Sequence, residues 1–174
     1  MVRNSLFSAV FAAGLLLSGA ANAEEGTLRV FATWEADGSM VQTGPAEATL
    51  IGTMSGQVYV DTDHGPISAG EMACPMIVHQ DLKNLTQTGE GQCTFKGPKG
   101  NLWFMKLTCV GVPLIGCVGD STLTGGTGPF DKVSGGGRFV VRSNMLELAQ
   151  QQNADPKSKV RGIIFWRELH YKTP

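Results

Sequence analysis

The chain has 174 residues, of which 14 are lysine or arginine and 15 are aspartate or glutamate, so its formal net charge is −1 with neutral histidine. The basic residues are not concentrated in any stretch. This distribution excludes the electrostatic footprint expected of a protein that binds nucleic acid or an anionic membrane surface.

Residues 1–23 have the pattern of a cleaved signal peptide. Arg3 gives a positive end, residues 6–20 ("LFSAVFAAGLLLSGA") are apolar or small, and "ANA" at 21–23 supplies small residues around a cleavage site. An N-terminal membrane anchor is the alternative, but the apolar run is shorter than about 18 residues and contains several small polar ones. We therefore expect a single domain over residues 24–174 that is secreted or periplasmic and has no membrane span after cleavage.

The first half of this domain predicts short β-strands separated by turns. Residues 27–34 alternate between apolar and polar side chains, and "EADGS" at 35–39 predicts a turn. Residues 48–51 and 58–60 are mostly apolar clusters, and "GTMSGQ" at 52–57 predicts a hairpin between them.

Residues 61–65 ("DTDHG") begin like a calcium-binding loop. An EF-hand would require glycine where Pro66 stands and glutamate where Met72 stands. We therefore predict an exposed hairpin turn here and no metal site.

Four cysteines follow the predicted cleavage site, namely Cys74, Cys93, Cys109 and Cys117. An even number of cysteines in an exported chain suggests two disulfides, and three connectivities are possible. If "CVGVPLIGC" is a tight hairpin, Cys109 lies opposite Cys117, and Cys74 with Cys93 bridges the preceding pair of strands. Four buried free thiols are the alternative.

The second half of the domain contains the clearest strand, residues 102–110 ("LWFMKLTCV"), in which the odd-numbered side chains face the core. Further strands are predicted over residues 74–79, 92–95, 118–123, 138–142 and 160–169. Residues 144–152 ("NMLELAQQQ") predict one short helix before the last strand, with Asn144 as a candidate N-cap. Eight or nine short strands can form a barrel or a two-layer sandwich, and mostly consecutive hairpins favour a barrel.

Glycines cluster at residues 122–137 ("TLTGGTGPFDKVSGGG"). A phosphate-binding loop would need a Gly-Lys pair and a helix after the last glycine, whereas this cluster lacks the pair and continues into the strand at 138–142. We therefore predict a strand-joining corner and no nucleotide cofactor, with Phe130 filling either the end of the barrel or the core. The residues that we expect to shape the corner are Gly125, Gly126, Gly128, Phe130, Gly135 and Gly137.

This corner, together with "GEGQCTF" and "LWFMKLTCVG" before it, resembles the pattern of allene oxide cyclase and dirigent-type barrels and their bacterial relatives. The similarity covers residues 89–142, about a third of the mature chain. It implies an eight-stranded antiparallel barrel with an apolar cavity, often assembled into trimers. The catalytic positions of those families cannot be matched to residues of this chain.

The aromatic side chains Trp34, Trp103 and Trp166, with Met105, are predicted to lie inside the barrel. They are either ordinary core or the walls of a pocket for a small apolar ligand. The first hypothesis is therefore a non-catalytic barrel that binds such a ligand or serves as a structural module.

A cyclase or isomerase acting on a small apolar substrate is the alternative hypothesis. It requires a carboxylate, histidine or thiol that faces the cavity. The side chains that alternation could place there are Glu47, Glu168 and Cys109. The histidines at 64, 79 and 170 show no zinc spacing.

Overall fold

A computed structural model of the protein describes residues 23–145 and 159–174. The strands are β1 (Glu25–Gly44), β2 (Glu47–Thr62), β3 (Gly65–Asp81), β4 (Thr86–Lys96), β5 (Leu102–Val112), β6 (Gly116–Gly126), β7 (Ser134–Ser143) and β8 (Val160–Lys172). A 3₁₀ turn, Gly128–Phe130, lies between β6 and β7. The predicted signal peptide, apart from Ala23, and the predicted helix after Met145 lie outside the described residues.

The eight strands form one closed antiparallel sheet in which each strand pairs with its neighbours along the chain. β8 pairs with β1, so the ring closes as a barrel. Closure removes the two free edges that an open sheet of the same strands would expose. The all-β prediction is confirmed, and the order of consecutive hairpins gives a ring rather than a two-layer sandwich.

Two of the predicted turns are wrong. β1 continues through residues 35–39 and β2 continues through residues 52–57, so the two strands form one long hairpin whose turn is at Pro45-Ala46. The glycines in these segments serve strand packing instead. Gly56 pairs with Trp34, and a Cβ atom at Gly56 would collide with the carbonyl oxygen of Thr33. Glycine therefore permits a close approach between the strands here.

Alternating side chains from the strands fill the middle of the ring. On β5, Met105 and Leu107 are buried while Lys106 and Thr108 are exposed, as the sequence predicts. The largest fully buried side chains are Trp166, Phe95, Phe139, Met105, Ile164, Val58 and Cys74. The indole N–H of Trp166 donates a 3.0 Å hydrogen bond to the Ser121 hydroxyl, so this buried polar group is satisfied.

Two disulfides join neighbouring strands, Cys74 to Cys93 between β3 and β4, and Cys109 to Cys117 between β5 and β6. This is the connectivity expected if residues 109–117 form a hairpin. None of the cysteines in the described residues is free. Both bonds connect strands that already pair, so they reinforce the register of the barrel wall.

The glycine-rich segment forms the corner between β6 and β7. β6 ends at Gly126, the chain turns through the 3₁₀ turn, and β7 begins at Ser134. Gly128 has a φ of +60°, in the left-handed region that favours glycine. Phe130 packs against Trp103 with ring centroids 5.1 Å apart. Of the other corner glycines, Gly125 and Gly126 end β6, and Gly135 and Gly137 open β7.

Candidate functional site

The described residues form a cavity toward each end of the barrel, with the central core between the two. The first, which we call the Gln80 cavity, has a volume of about 510 Å³ and lies toward the end that carries the β1–β2, β3–β4 and β5–β6 turns. The second, the Trp103 cavity, has a volume of about 360 Å³ and lies toward the end with Glu24, Thr173 and the glycine-rich corner. Both fall within or near the usual range for small-molecule pockets.

The four side chains predicted to line one pocket are divided between the two cavities. Trp34 lines the Gln80 cavity, whereas Trp103, Met105 and Trp166 line the Trp103 cavity. Met105 and Trp166 are fully buried. All four side chains therefore lie inside the barrel, as predicted from the sequence. Alternation along a strand indicates which face a side chain is on, but it does not give its position along the barrel axis.

The Trp103 cavity is walled by aromatic rings that pack on one another. Trp103 stacks on Phe95 with centroids 5.3 Å apart and planes within 4°, and it also contacts Phe130. Near the opening, the Tyr171 hydroxyl donates to Glu24 Oε1 at 3.1 Å. Desolvation, followed by this hydrogen bond and the charge of Glu24, raises the pKa of Tyr171 above 10.0.

The Gln80 cavity has mainly aliphatic and sulfur-containing walls. Its apolar lining includes Leu50, Met54, Met76, Val78, Leu107 and Val141. Exposed apolar side chains continue along the turns at this end, among them Leu82, Leu85, Val112 and Ile115. An apolar solute could thus leave water at the rim and enter a cavity of similar character.

A short chain of amides crosses one wall of this cavity. Gln80, on β3, is only 5% exposed, and its Nε2 donates to Gln87 Oε1 on β4 at 3.3 Å. Gln87 Nε2 in turn donates to the carbonyl oxygen of Gly116 on β6 at 3.1 Å. The intervening residue of β5 is Gly111, which pairs with Gln87 and has no side chain to block this reach.

Sequence reasoning missed Gln80 because it ended the predicted strand over residues 74–79 at His79. The strand continues to Asp81, and the alternation Cys74, Met76, Val78 then places Gln80 on the inner face. A strand one or two residues longer would have revealed a buried amide at the end of an apolar stripe.

Trp34 contributes a second polar group beside this cavity. Its side chain is 5% exposed, and its indole N–H is buried without a hydrogen-bond partner among the described residues. The ring edge lies over Gly162, where a Cβ atom would contact Trp34 Cε2 and Cζ2. Glycine at 162 therefore makes room for the indole inside the wall.

Of the three side chains singled out for a cyclase, Glu47 and Glu168 line neither cavity, whereas Cys109 lies in the wall of the Gln80 cavity. Glu47 and Glu168 are exposed, and Cys109 is bonded to Cys117. The condition set by the cyclase hypothesis, an ionisable or nucleophilic group inside the barrel, is thus not met by these residues. His79 and His170 are exposed and share cross-strand hydrogen bonds with Thr49 and Thr27.

The acidic turn at residues 61–65 is the β2–β3 hairpin turn, with Gly65 at a φ of +100°. Arg29 lies 3.5 Å from Asp61 and 3.7 Å from Asp63, so a cation already accompanies both carboxylates. No cluster of three metal-ligating side chains occurs within residues 23–145 and 159–174.

A shallow groove outside the ring, about 970 Å³ in volume, runs beside β1, β2 and β8. Its charges are largely compensated, because Glu35 pairs with Lys159 at 3.2 Å and with Arg161 at 3.0 Å. Exposed pairs of this kind contribute little stability.

The described part of the chain contains no helix long and apolar enough to span a bilayer. Comparison of the sequence and structure with protein-family models, curated proteins and solved structures finds no match in any of the three. The functional argument therefore depends on the geometry of the two cavities.

Proposed function

We propose that this protein is an exported, non-catalytic barrel that binds a small apolar ligand in the Gln80 cavity. The observation that carries the proposal is the cavity itself, whose volume of about 510 Å³ falls within the range of ligand pockets. The apolar walls favour an uncharged or largely apolar molecule, because an isolated charge would lose its hydration there.

Two further features support export and the type of barrel. The two disulfides are compatible with an extracellular or periplasmic compartment. The eight-stranded ring and the glycine-rich corner are features expected of a relative of allene oxide cyclase and dirigent-type barrels. We include that relationship in the proposal, while the trimer it implies stays a prediction.

The Gln80 cavity is preferred over the Trp103 cavity on two grounds. It is the larger of the two, and exposed apolar side chains surround its end of the barrel. The Trp103 cavity is bordered instead by the hydrogen-bonded Tyr171 on β8 and Glu24 just before β1.

A pair of matched variants tests which cavity binds. Ala36 and Ala69 are both half-buried alanines, and they line the Gln80 and Trp103 cavities respectively. Titration with the fluorescent probe N-phenylnaphthylamine should saturate at one site on the wild-type protein. Ala36→Phe places a ring in the Gln80 cavity and should weaken binding by at least about 10-fold, an effect of roughly 1.4 kcal/mol.

Ala69→Phe is the control, and its affinity should match that of the wild type. Near-ultraviolet circular dichroism checks that both variants keep the packed core. Absence of saturable binding to the wild type would contradict the proposal, and loss of binding only in Ala69→Phe would move the site to the Trp103 cavity.

A further inference from the structure

We infer that the ligand of the Gln80 cavity carries a hydroxyl group, which donates a hydrogen bond to the side-chain carbonyl oxygen of Gln80. This inference rests on the proposed function and specifies the class of ligand as a long-chain or cyclic alcohol.

The orientation of the two amides follows from their partners. The backbone carbonyl of Gly116 can only accept, so the end of Gln87 that faces it is the nitrogen. The Gln87 oxygen therefore faces Gln80, and it accepts from the Gln80 nitrogen. The Gln80 oxygen is consequently directed away from Gln87, and it accepts no hydrogen bond from the described residues.

Burial makes this free acceptor significant. Gln80 and Ser121 are the buried polar side chains of the described residues, and Ser121 is fully engaged with Trp166 and Gly137. Gln80 lies in the wall of an otherwise mainly apolar cavity, and its free oxygen is accessible from there, whereas the enclosed polar atom without a partner among the described residues is the indole nitrogen of Trp34. A ligand that donates to the Gln80 oxygen supplies the hydrogen bond that this acceptor lacks.

The need for a hydrogen-bond donor on the ligand follows from the same chain of amides. An ether or ester offers acceptors alone and cannot satisfy an amide oxygen. A carboxylate would bring a negative charge to an apolar wall without a buried cation, because Lys159 at the edge of the cavity is already paired with Glu35. A neutral hydroxyl at one end of an apolar body meets both requirements.

The test compares ligands of equal size that differ in the hydroxyl. Dodecanol, methyl undecyl ether and tridecane have equal numbers of heavy atoms, and each is measured by displacement of N-phenylnaphthylamine. We expect the wild type to bind dodecanol about 5- to 10-fold more tightly than the ether, as one neutral hydrogen bond provides. Transfer out of water costs less free energy for the ether than for the alcohol. Tighter binding of the alcohol must therefore result from a contact with the protein.

Gln80→Met keeps the length of the side chain and removes the amide, and its preference for dodecanol over the ether should disappear. Gln57→Met is the matched control, because Gln57 lies on the outer face and bonds to Glu71, so its preference should be unchanged. If Gln80→Met does not fold, the ratio of the wild-type affinities for dodecanol and the ether decides whether the inference holds. If the wild type binds dodecanol and the ether tightly and with equal affinity, the inference is overturned and the proposed function stands. If the wild type binds none of the three ligands, the proposed function is rejected.

Discussion

Asp81 shows how a single side chain organises the end of the barrel that carries the Gln80 cavity. It follows Gln80 directly, and its carboxylate accepts from the backbone N–H of Lys83 at 3.0 Å and of Asn84 at 2.9 Å. It also accepts from the Asn84 side-chain amide at 2.6 Å. The hydrogen bonds from Asn84, backbone first and side chain second, hold the pKa of Asp81 below its usual 3.8.

This lowered pKa predicts a stability that depends on pH. The carboxylate stabilises the β3–β4 turn fully above pH 3.8, and the effect is lost as the pH falls through the lower pKa of the folded state. Asp81→Ala should therefore be less stable than the wild type at neutral pH, with a stability gap that narrows as the pH falls below 3.8. Urea midpoints measured across this range check the prediction.

Asp81→Asn is the control, because it keeps the shape and one acceptor oxygen without a titrating group. Its stability relative to Asp81→Ala should not change over the same range. A wild-type advantage over Asp81→Ala that is equally large in acid and at neutral pH would show that the charge on Asp81 is not what stabilises the turn.

At the scale of elements, the β1–β2 hairpin shows why some of the fold could be predicted and some could not. Alternation identified most strands, including β5, because half-buried strands repeat every two residues. Residues 52–57, rich in glycine and serine, predicted a turn because such residues also mark turns. Only the paired strand reveals that Gly56 faces Trp34 across the ladder.

Gly56 can be interpreted as a turn residue or as the site of a close approach between two strands, and the two interpretations predict different stabilities for the Gly56→Ala variant. In a continuous β2, Gly56→Ala forces β1 and β2 apart at the Thr33 carbonyl, and overpacking of this kind costs about 1–3 kcal/mol. At Gly97, the nearest atom to an added Cβ is Trp103 Cζ3 at 3.4 Å, so Gly97→Ala should stay within about 1 kcal/mol of the wild type.

Chemical denaturation of the two variants measures this difference. A much larger loss for Gly56→Ala is the expected outcome. Similar stabilities for both variants would indicate that the two strands do not approach closely at this point.

At the scale of the whole molecule, closure of the ring creates the division between core and cavities. Trp166 pairs with Phe139 across β7 and β8 and contacts Phe95 across the closed ring, and this aromatic group lies between the two cavities. Which side chains share a cavity depends on strand stagger around the ring. The sequence shows which side chains face inward but not the stagger, so it could not separate Trp34 from Trp103.

The free oxygen of Gln80 is likewise a property of the whole barrel. It depends on β3, β4 and β6 lying at a common height and on Gly111 leaving the space between them open. Alternation from Cys74 along β3 could have revealed the buried amide itself, but no local pattern encodes the combination that leaves its oxygen free.

Native mass spectrometry of the protein, purified without detergent from its own host organism, tests the central claim most directly. We predict one apolar molecule bound per wild-type chain, retained in Ala69→Phe and missing in Ala36→Phe. The account would be contradicted if the wild-type chain had its bare mass under conditions in which added N-phenylnaphthylamine stays bound.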